Sequence, residues 1–159
     1  MVYTIMTDKK TKWLTSERKH RKLYFAYGSN MNQKQMEYRC PDAFPVAIGR
    51  LSRFKFLINS SGVASIIESE IDDTFGVIWQ ISQTNETTLD RYEGVAKSIY
   101  KKIILTADVE EDKVSCLCYQ ALNNKYGIPR EGYLEKVIKG ARSFSLNREW
   151  IDQLNGWVK

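Results

Sequence analysis

The stretch that decides the fold is Leu23–Met31, which reads LYFAYGSNM. Its first five residues are apolar or aromatic and predict a buried strand over Leu23–Tyr27. That signal stops at Gly28–Asn30, because glycine tolerates positive φ and small polar side chains bond to their own backbone in turns. Straight-chain residues then predict a short helix over Met31–Arg39. Where a strand turns directly into a helix, several backbone N–H groups point at one spot, which is either an anion site or an ordinary solvated turn.

The 159 residues are predicted to form a basic, flexible tail over 1–22 and a single domain over 23–159. The tail holds seven of the 24 basic and two of the 19 acidic residues, so it accounts for the whole net charge of +5. A basic arm can bind nucleic acid or a membrane, but a solvated leader is commoner at a chain terminus, and we expect neither partner. No apolar run is long enough for a secretory signal or a membrane span, which predicts a cytoplasmic protein.

The cysteine and histidine content excludes several kinds of catalytic site. Cys40, Cys116 and Cys118 are too few for a disulfide framework and are predicted to be small buried residues. The single histidine, His20, lies in the tail, so the cysteines lack further ligands for a metal. Because the domain has no histidine, Ser-His-Asp and Cys-His catalysis are excluded.

The remaining chain alternates between strand and helix signals without a strict β-α-β order, which favours an α+β fold with a largely antiparallel or mixed sheet. Gly49 is a candidate bulge, Asp72–Thr74 a turn, and Gly94 a left-handed helix end. The predicted strands are Val46–Asn59, Gly62–Glu68, Phe75–Ile81, Ile99–Thr106 and Val114–Ala121, and the predicted helices are Ser82–Tyr92, one from Arg130 and one from about Asn147.

Two short motifs resemble a known family. Tyr27–Met31 reads YGSNM and is similar to the Tyr-Gly-Ser-Asn-Leu sequence that opens the γ-glutamylcyclotransferase (AIG2-like) family. Leu89–Val95 reads LDRYEGV and resembles the family's Leu-Asp-x-x-Glu-Gly-Val segment, which carries its catalytic glutamate. The two motifs stand in the family's order and separation, and a looser likeness runs from Leu23 to the C-terminal helix. The resemblance implies a small mixed β-barrel flanked by helices. The apolar stripe of the last predicted helix either packs on that barrel or supports a homodimer, so a monomer or a homodimer is expected.

Glu93 is the catalytic residue that the resemblance implies. The sequence places it at a helix end, where aligned peptide dipoles disfavour a carboxylate and raise its pKa, and burial would raise it further. From the residues alone, an exposed glutamate without a role would be the commoner case. A glutamate with a pKa near neutrality is suited to general acid and base catalysis.

The reaction that the resemblance implies is a γ-glutamyl cyclotransfer. The α-amino group of a small γ-glutamyl compound attacks its own γ-carbonyl, which releases 5-oxoproline and a free amino acid or amine. This intramolecular aminolysis needs no metal or organic cofactor. The alternative is a non-catalytic module of the same fold that binds a small anion, and a base at Glu93 would be useless to such a module.

The family's substrate-binding positions map onto the strand end and the turn. The turn amides are expected to hold either the α-carboxylate or the oxyanion at the γ-carbon. Tyr133 precedes Gly140-Ala141 by the family's spacing and is a further candidate contact, or else a tyrosine packed on the core. Tyr100 and Tyr119 line the cavity or belong to the core, and the Asn123–Glu131 loop is expected to meet the leaving group. The predicted binding residues are Tyr24, Phe25, Ala26, Tyr27, Gly28, Ser29, Asn30 and Tyr133.

Overall fold

The computed structural model describes residues 21–157, which form a five-stranded barrel flanked by four helices. The barrel is closed in the order β1-β3-β2-β4-β5, with antiparallel pairs except where β5 lies parallel to β1. The predicted α+β class and mixed barrel are confirmed. The strands are β1 (Lys22–Ala26), β2 (Phe44–Ile58), β3 (Ala64–Ile81), β4 (Tyr100–Val109) and β5 (Asp112–Ala121), and the helices are α1 (Gln33–Arg39), α2 (Gln83–Tyr92), α3 (Tyr133–Ser143) and α4 (Arg148–Asn155).

The long β2–β3 hairpin corrects two predictions. Asp72–Thr74 is not a turn, since β3 runs unbroken through it for 18 residues. The polar side chains that suggested a turn serve a bulge instead: Arg53 opposite has φ 64°, and its N–H donates to Asp73 Oδ1 at 3.2 Å. Gly49 is not a bulge either, because it pairs in register with Gly76. A Cβ on Gly76 would lie 2.7 Å from the Phe25 ring, so the missing side chain makes room for that ring inside the barrel.

The helices that end the chain cover the barrel beside the turn after β1. A Cβ on Gly140 of α3 would lie 2.5 Å from the Met31 carbonyl carbon, so glycine lets α3 approach this backbone closely. On α4, the buried Trp150 ring contacts Phe56 and Phe75, each with 5.6 Å between ring centroids. The predicted helix from about Asn147 is confirmed, with Asn147 accepting from the Trp150 N–H as the N-cap.

Other predictions about the chain have mixed outcomes. The three cysteines are buried thiols, as predicted. The predicted tail over 1–22 lies outside the described residues except for Arg21 and Lys22, and Lys22 is the first residue of β1. Within residues 21–157, no helix combines the length and apolar character that crossing a membrane requires.

Candidate active site

The turn after β1 leads through a short 3-10 helix, Ser29–Met31, into α1. Its backbone closes on itself, because the Met31 N–H donates to the Gly28 carbonyl at 3.1 Å. A separate N-cap, Asn32, then starts α1 by accepting from the Gln35 N–H at 3.2 Å. The predicted helix over Met31–Arg39 is therefore two helical pieces. This break places Ser29 and Asn30 at the rim of the barrel.

Tyr133, the first residue of α3, reaches the same turn. Its hydroxyl accepts a hydrogen bond from the Ala64 N–H at 3.0 Å. A Cβ on Gly28 would lie only 3.0 Å from that hydroxyl, so glycine is needed here for the close approach. Burial raises the pKa of Tyr133 to about 12, although hydrogen bonds from Ala64 and Ser29 work against the rise. The Tyr133 hydroxyl and the turn therefore form one polar surface.

Glu93 ends α2 and points toward that surface. Its N–H donates to the Leu89 carbonyl at 2.8 Å, and the next residue, Gly94, has the predicted left-handed conformation at φ 66°. Burial raises the pKa of Glu93 to about 7, and the Arg39 charge opposes this only in part. Among residues 21–157, no lysine or arginine forms an ion pair with Glu93. The carboxyl group therefore stays close to half-protonated at neutral pH.

Asn30 connects Glu93 to α1 through both ends of its buried amide. Its Nδ2 donates to the Tyr24 hydroxyl at 2.9 Å and, at a longer 3.4 Å, to Glu93 Oε1. Its Oδ1 accepts from Gln35 Nε2 at 2.9 Å and from Arg39 Nη1 at 3.0 Å. Sequence reasoning missed Gln35 and Arg39. Their i, i+4 spacing, which puts both on one face of the helix that follows the motif, is the signal that could have revealed them.

Four tyrosines, Tyr24, Tyr27, Tyr100 and Tyr119, surround the carboxyl group, and each of their hydroxyls has a hydrogen-bond partner within the protein. Tyr27 donates to the Tyr119 carbonyl, and Tyr100 donates to the Ala64 carbonyl at 2.6 Å. The Tyr119 ring stands edge-on to Tyr24 at 5.6 Å between centroids. Burial raises the pKa of each of these tyrosines well above its ordinary value, so all four hydroxyls stay protonated at neutral pH.

These groups line one cavity of about 810 Å³ at this end of the barrel. The predicted residues that line it are Tyr24, Tyr27, Gly28, Ser29, Asn30, Glu93, Tyr100, Tyr119 and Tyr133. Phe25 and Ala26 do not line it. Both are fully buried, and the Phe25 ring packs against Gly76 inside the barrel instead.

The far wall of the cavity consists of two loops, residues 59–63 and 122–132. They are joined by hydrogen bonds from Asn59 Nδ2 to the Asn123 carbonyl at 2.9 Å and from Arg130 Nε to the Ser61 carbonyl at 2.7 Å. The Asn123–Glu131 loop lines the cavity through Asn123, Arg130 and Glu131, and its contact with the leaving group stays a prediction. Across residues 21–157, no three Cys, His, Asp or Glu side chains come together as a metal site would require.

Comparison with known proteins points to one family. A family model described as "AIG2-like family" matches residues 73–154, a span that includes Glu93 and Tyr133. The γ-glutamylcyclotransferase of Bos taurus is 33% identical over 144 residues, which cover 84% of this chain and 77% of that protein. The Homo sapiens γ-glutamylcyclotransferase is 31% identical over 143 residues, covering 83% and 76%. A solved structure of a γ-glutamyl cyclotransferase superimposes with a TM-score of 0.80 at 29% identity, covering 85% of this chain and 86% of that one.

Proposed function

We propose that this chain, which belongs to the AIG2-like γ-glutamylcyclotransferase family, is an enzyme that closes γ-glutamyl compounds to 5-oxoproline with Glu93 as its general acid and base. One observation carries the role of Glu93. A carboxyl group with a pKa of about 7 and no ion-pair partner in residues 21–157 lines the cavity that also holds the Gly28–Asn30 turn and Tyr133. Burial gives this group the proton affinity that acid and base catalysis at neutral pH requires.

The proposed reaction moves two protons through Glu93, one after the other. The ionised carboxylate takes a proton from the substrate's α-ammonium group, and the freed amine attacks the γ-carbonyl carbon to form the lactam C–N bond. Glu93 then returns this proton to the leaving nitrogen as the amide C–N bond breaks, and takes the second proton from the new lactam nitrogen. The released amine accepts that second proton and leaves as an ammonium ion, which restores the Glu93 carboxylate, so no water and no covalent enzyme intermediate are needed. Because nucleophile and electrophile belong to one molecule, holding them in register can contribute about 7–11 kcal/mol in favourable cases.

The turn and the tyrosines are proposed to hold the substrate for this step. Ser29 and the Tyr133 hydroxyl form the polar surface that receives the α-carboxylate or the oxyanion at the γ-carbon. Asn30 holds the Glu93 carboxyl group in place by donating to it, and Tyr24 positions Asn30 by accepting from the same amide nitrogen. Tyr27 and Gly28 shape the turn. Phe25 and Ala26 position it through packing and are left out of the substrate contacts.

The setting of the enzyme is proposed from the sequence and the family. We propose a single domain that begins with β1 at Lys22 and extends to residue 159, preceded by a basic tail that is not required for turnover. The substrate is a small γ-glutamyl molecule, the enzyme is a cytoplasmic monomer or homodimer, and neither nucleic acid nor a membrane is a partner.

The deciding experiment measures 5-oxoproline release from γ-glutamyl dipeptides and amines by the native protein and by Glu93→Gln. We expect kcat to fall by roughly 10²–10⁴, the contribution of general acid and base catalysis, while ligand binding is kept. Glu37→Gln is the matched control, because Glu37 is exposed on α1 outside the cavity and should leave kcat unchanged. Equal activity in Glu93→Gln would refute the role of Glu93. Ligand binding without release from any donor would instead favour the non-catalytic, anion-binding module.

A further inference from the structure

A second groove continues from the active-site cavity between α1 and α3. It encloses about 540 Å³ and shares Gln35, Arg39, Tyr92 and Lys136 with the cavity wall. Its remaining lining residues are Asn32, Lys34, Tyr38, Glu135 and Lys139. We call it the basic groove. The four shared side chains make it an extension of the cavity where γ-glutamyl turnover is proposed.

The charges in the basic groove are unbalanced. Four cationic side chains line it, Lys34, Arg39, Lys136 and Lys139, against the single carboxylate of Glu135. The three lysines are exposed, and within residues 21–157 none of them has a carboxylate within 4.0 Å of its ammonium group. Such a concentration of one sign of charge in a cleft attracts ligands of the opposite sign.

The basic groove begins beside the group that must protonate the leaving nitrogen. Asn30 is the link, since its amide contacts Glu93 on one side and Arg39 on the other. Arg39 itself is held over the Tyr92 ring, with its guanidinium carbon 4.2 Å from the ring centroid. A leaving amine that starts at Glu93 therefore meets a fixed guanidinium before it reaches the lysines.

The other way out of the cavity differs in character. It passes Ile99 and Leu122, whose side chains are 51% and 50% exposed, toward the 122–132 loop. The charged residues at this exit, Arg130 and Glu131, have opposite signs. This exit suits a neutral or apolar amine, whereas the basic groove suits an anionic one.

We propose that the basic groove selects γ-glutamyl donors whose departing amine carries a second negative charge, as an acidic amino acid does. This inference rests on the proposed cyclotransfer. It adds that the α-carboxylate of the departing amino acid lies near Arg39, while its side-chain carboxylate reaches Lys34 and Lys139. The reaction itself is unchanged: the amide C–N bond breaks, the lactam C–N bond forms, and the departing nitrogen takes both protons.

The test compares γ-glutamyl-glutamate with γ-glutamyl-glutamine, which have nearly the same shape and differ by one charge. We expect the native protein to favour γ-glutamyl-glutamate in kcat/KM by roughly 3–10-fold at low ionic strength, and the preference to shrink toward unity in about 0.5 M salt. In the double variant Lys34→Glu/Lys139→Glu the preference should reverse. The control Lys101→Glu/Arg148→Glu makes the same change in net charge at exposed sites outside both cavities and should keep the native preference.

Calorimetry of the same two dipeptides on Glu93→Gln separates this inference from the proposed function. If Glu93→Gln binds γ-glutamyl-glutamate more tightly than γ-glutamyl-glutamine, and adding Lys34→Glu/Lys139→Glu to it removes that difference, the basic groove is supported even if no donor yields 5-oxoproline. Turnover or binding with no preference between the two dipeptides overturns the inference and leaves the cyclotransfer standing. The inference is also overturned if Lys34→Glu/Lys139→Glu and the control Lys101→Glu/Arg148→Glu lose the preference for γ-glutamyl-glutamate equally. A third donor, γ-glutamyl-leucine, overturns it if the native protein prefers this donor to both of the other dipeptides.

Discussion

Two glutamates, the buried Glu86 in α2 and the half-buried Glu93 at the C-cap of that helix, have surroundings that push their pKa values in opposite directions. Burial alone would raise the pKa of Glu86, but the ammonium groups of Lys102 and Lys22, each 2.7 Å away, outweigh it and hold the pKa below its usual value. Burial raises the pKa of Glu93 to about 7, because its nearest cation, Arg39, is turned toward Asn30. Burial makes a carboxylate costly, and its partners decide whether it stays charged.

Glu86 and Glu93 have different roles at the two ends of α2. Lys22 belongs to β1 and Lys102 to β4, so Glu86 ties the start of α2 to two barrel strands. Lys102 also pairs with Asp90, which accepts from the Tyr119 hydroxyl at 2.7 Å. The paired carboxylate therefore fixes the helix, and the unpaired one at its end is left free to exchange a proton.

Breaking the paired site should have the largest effect on stability. Glu86→Gln leaves two partly exposed ammonium groups beside a neutral amide, and we expect a loss of about 2 kcal/mol in the free energy of unfolding at pH 7. Because the native pKa of Glu86 is lowered, this contribution is present above the unfolded pKa and disappears as the pH falls through the native pKa. Urea unfolding followed by tryptophan fluorescence, at pH 7 and at pH 3, measures both effects.

The control for this prediction is Glu70→Gln, since Glu70 is exposed on β3 and forms none of the ion pairs found in residues 21–157. We expect it to change stability by less than about 0.5 kcal/mol. If Glu86→Gln behaves like Glu70→Gln at pH 7, the two lysines do not stabilise the barrel as described.

Replacing the unpaired Glu93 should change the free energy of unfolding in the opposite direction, toward greater stability. The native pKa of Glu93, about 7, lies above its ordinary value of 4.5, so the folded state binds more protons between those pH values and loses stability as the pH rises through them. Glu93→Gln removes that penalty and should stabilise the protein by about 1–2 kcal/mol at pH 8 and by almost nothing at pH 4.5. Unfolding curves at the two pH values test this, and a variant less stable than the native protein at pH 8 would contradict it.

The sequence revealed the unpaired site and missed the paired one, for a physical reason. Glu93 lies in a local motif next to Gly94, whose left-handed conformation is set by the residues on either side. The partners of Glu86 come from distant strands, Lys22 64 residues before it and Lys102 16 residues after it, and no local pattern brings them together. Contacts within one turn can be recognised from the local sequence, whereas the contacts of Glu86 with Lys22 and Lys102 form only when the strands of the barrel come together.

The absence of a local signal for contacts between distant residues also explains the two wrong predictions about the fold. Asp72 and Asp73 resemble a turn because their side chains compete for backbone hydrogen bonds. The structure uses that property across strands, since Asp73 accepts from the Arg53 N–H of the bulge in β2. Gly49 and Gly76 could be recognised as a pair only once the strand register and the position of the Phe25 ring were known.

Arg39 provides the smallest expected effect, because it is the one cation among residues 21–157 that opposes the raised pKa of Glu93. Replacing it with methionine should raise that pKa further, so that the rising limb of kcat/KM against pH moves to higher pH. With a γ-glutamyl amine whose leaving group carries no carboxylate, we expect kcat/KM at pH 7 to fall roughly three- to tenfold and to recover by about pH 9, since a smaller fraction of Glu93 is then ionised at neutrality. Arg39→Lys keeps the charge while losing the hydrogen bond from the guanidinium to Asn30 Oδ1. If Arg39→Lys has the native pH dependence of kcat/KM, the effect of Arg39→Met is due to the lost charge. If both variants shift the pH dependence equally, the effect is due to the positioning of Asn30 instead.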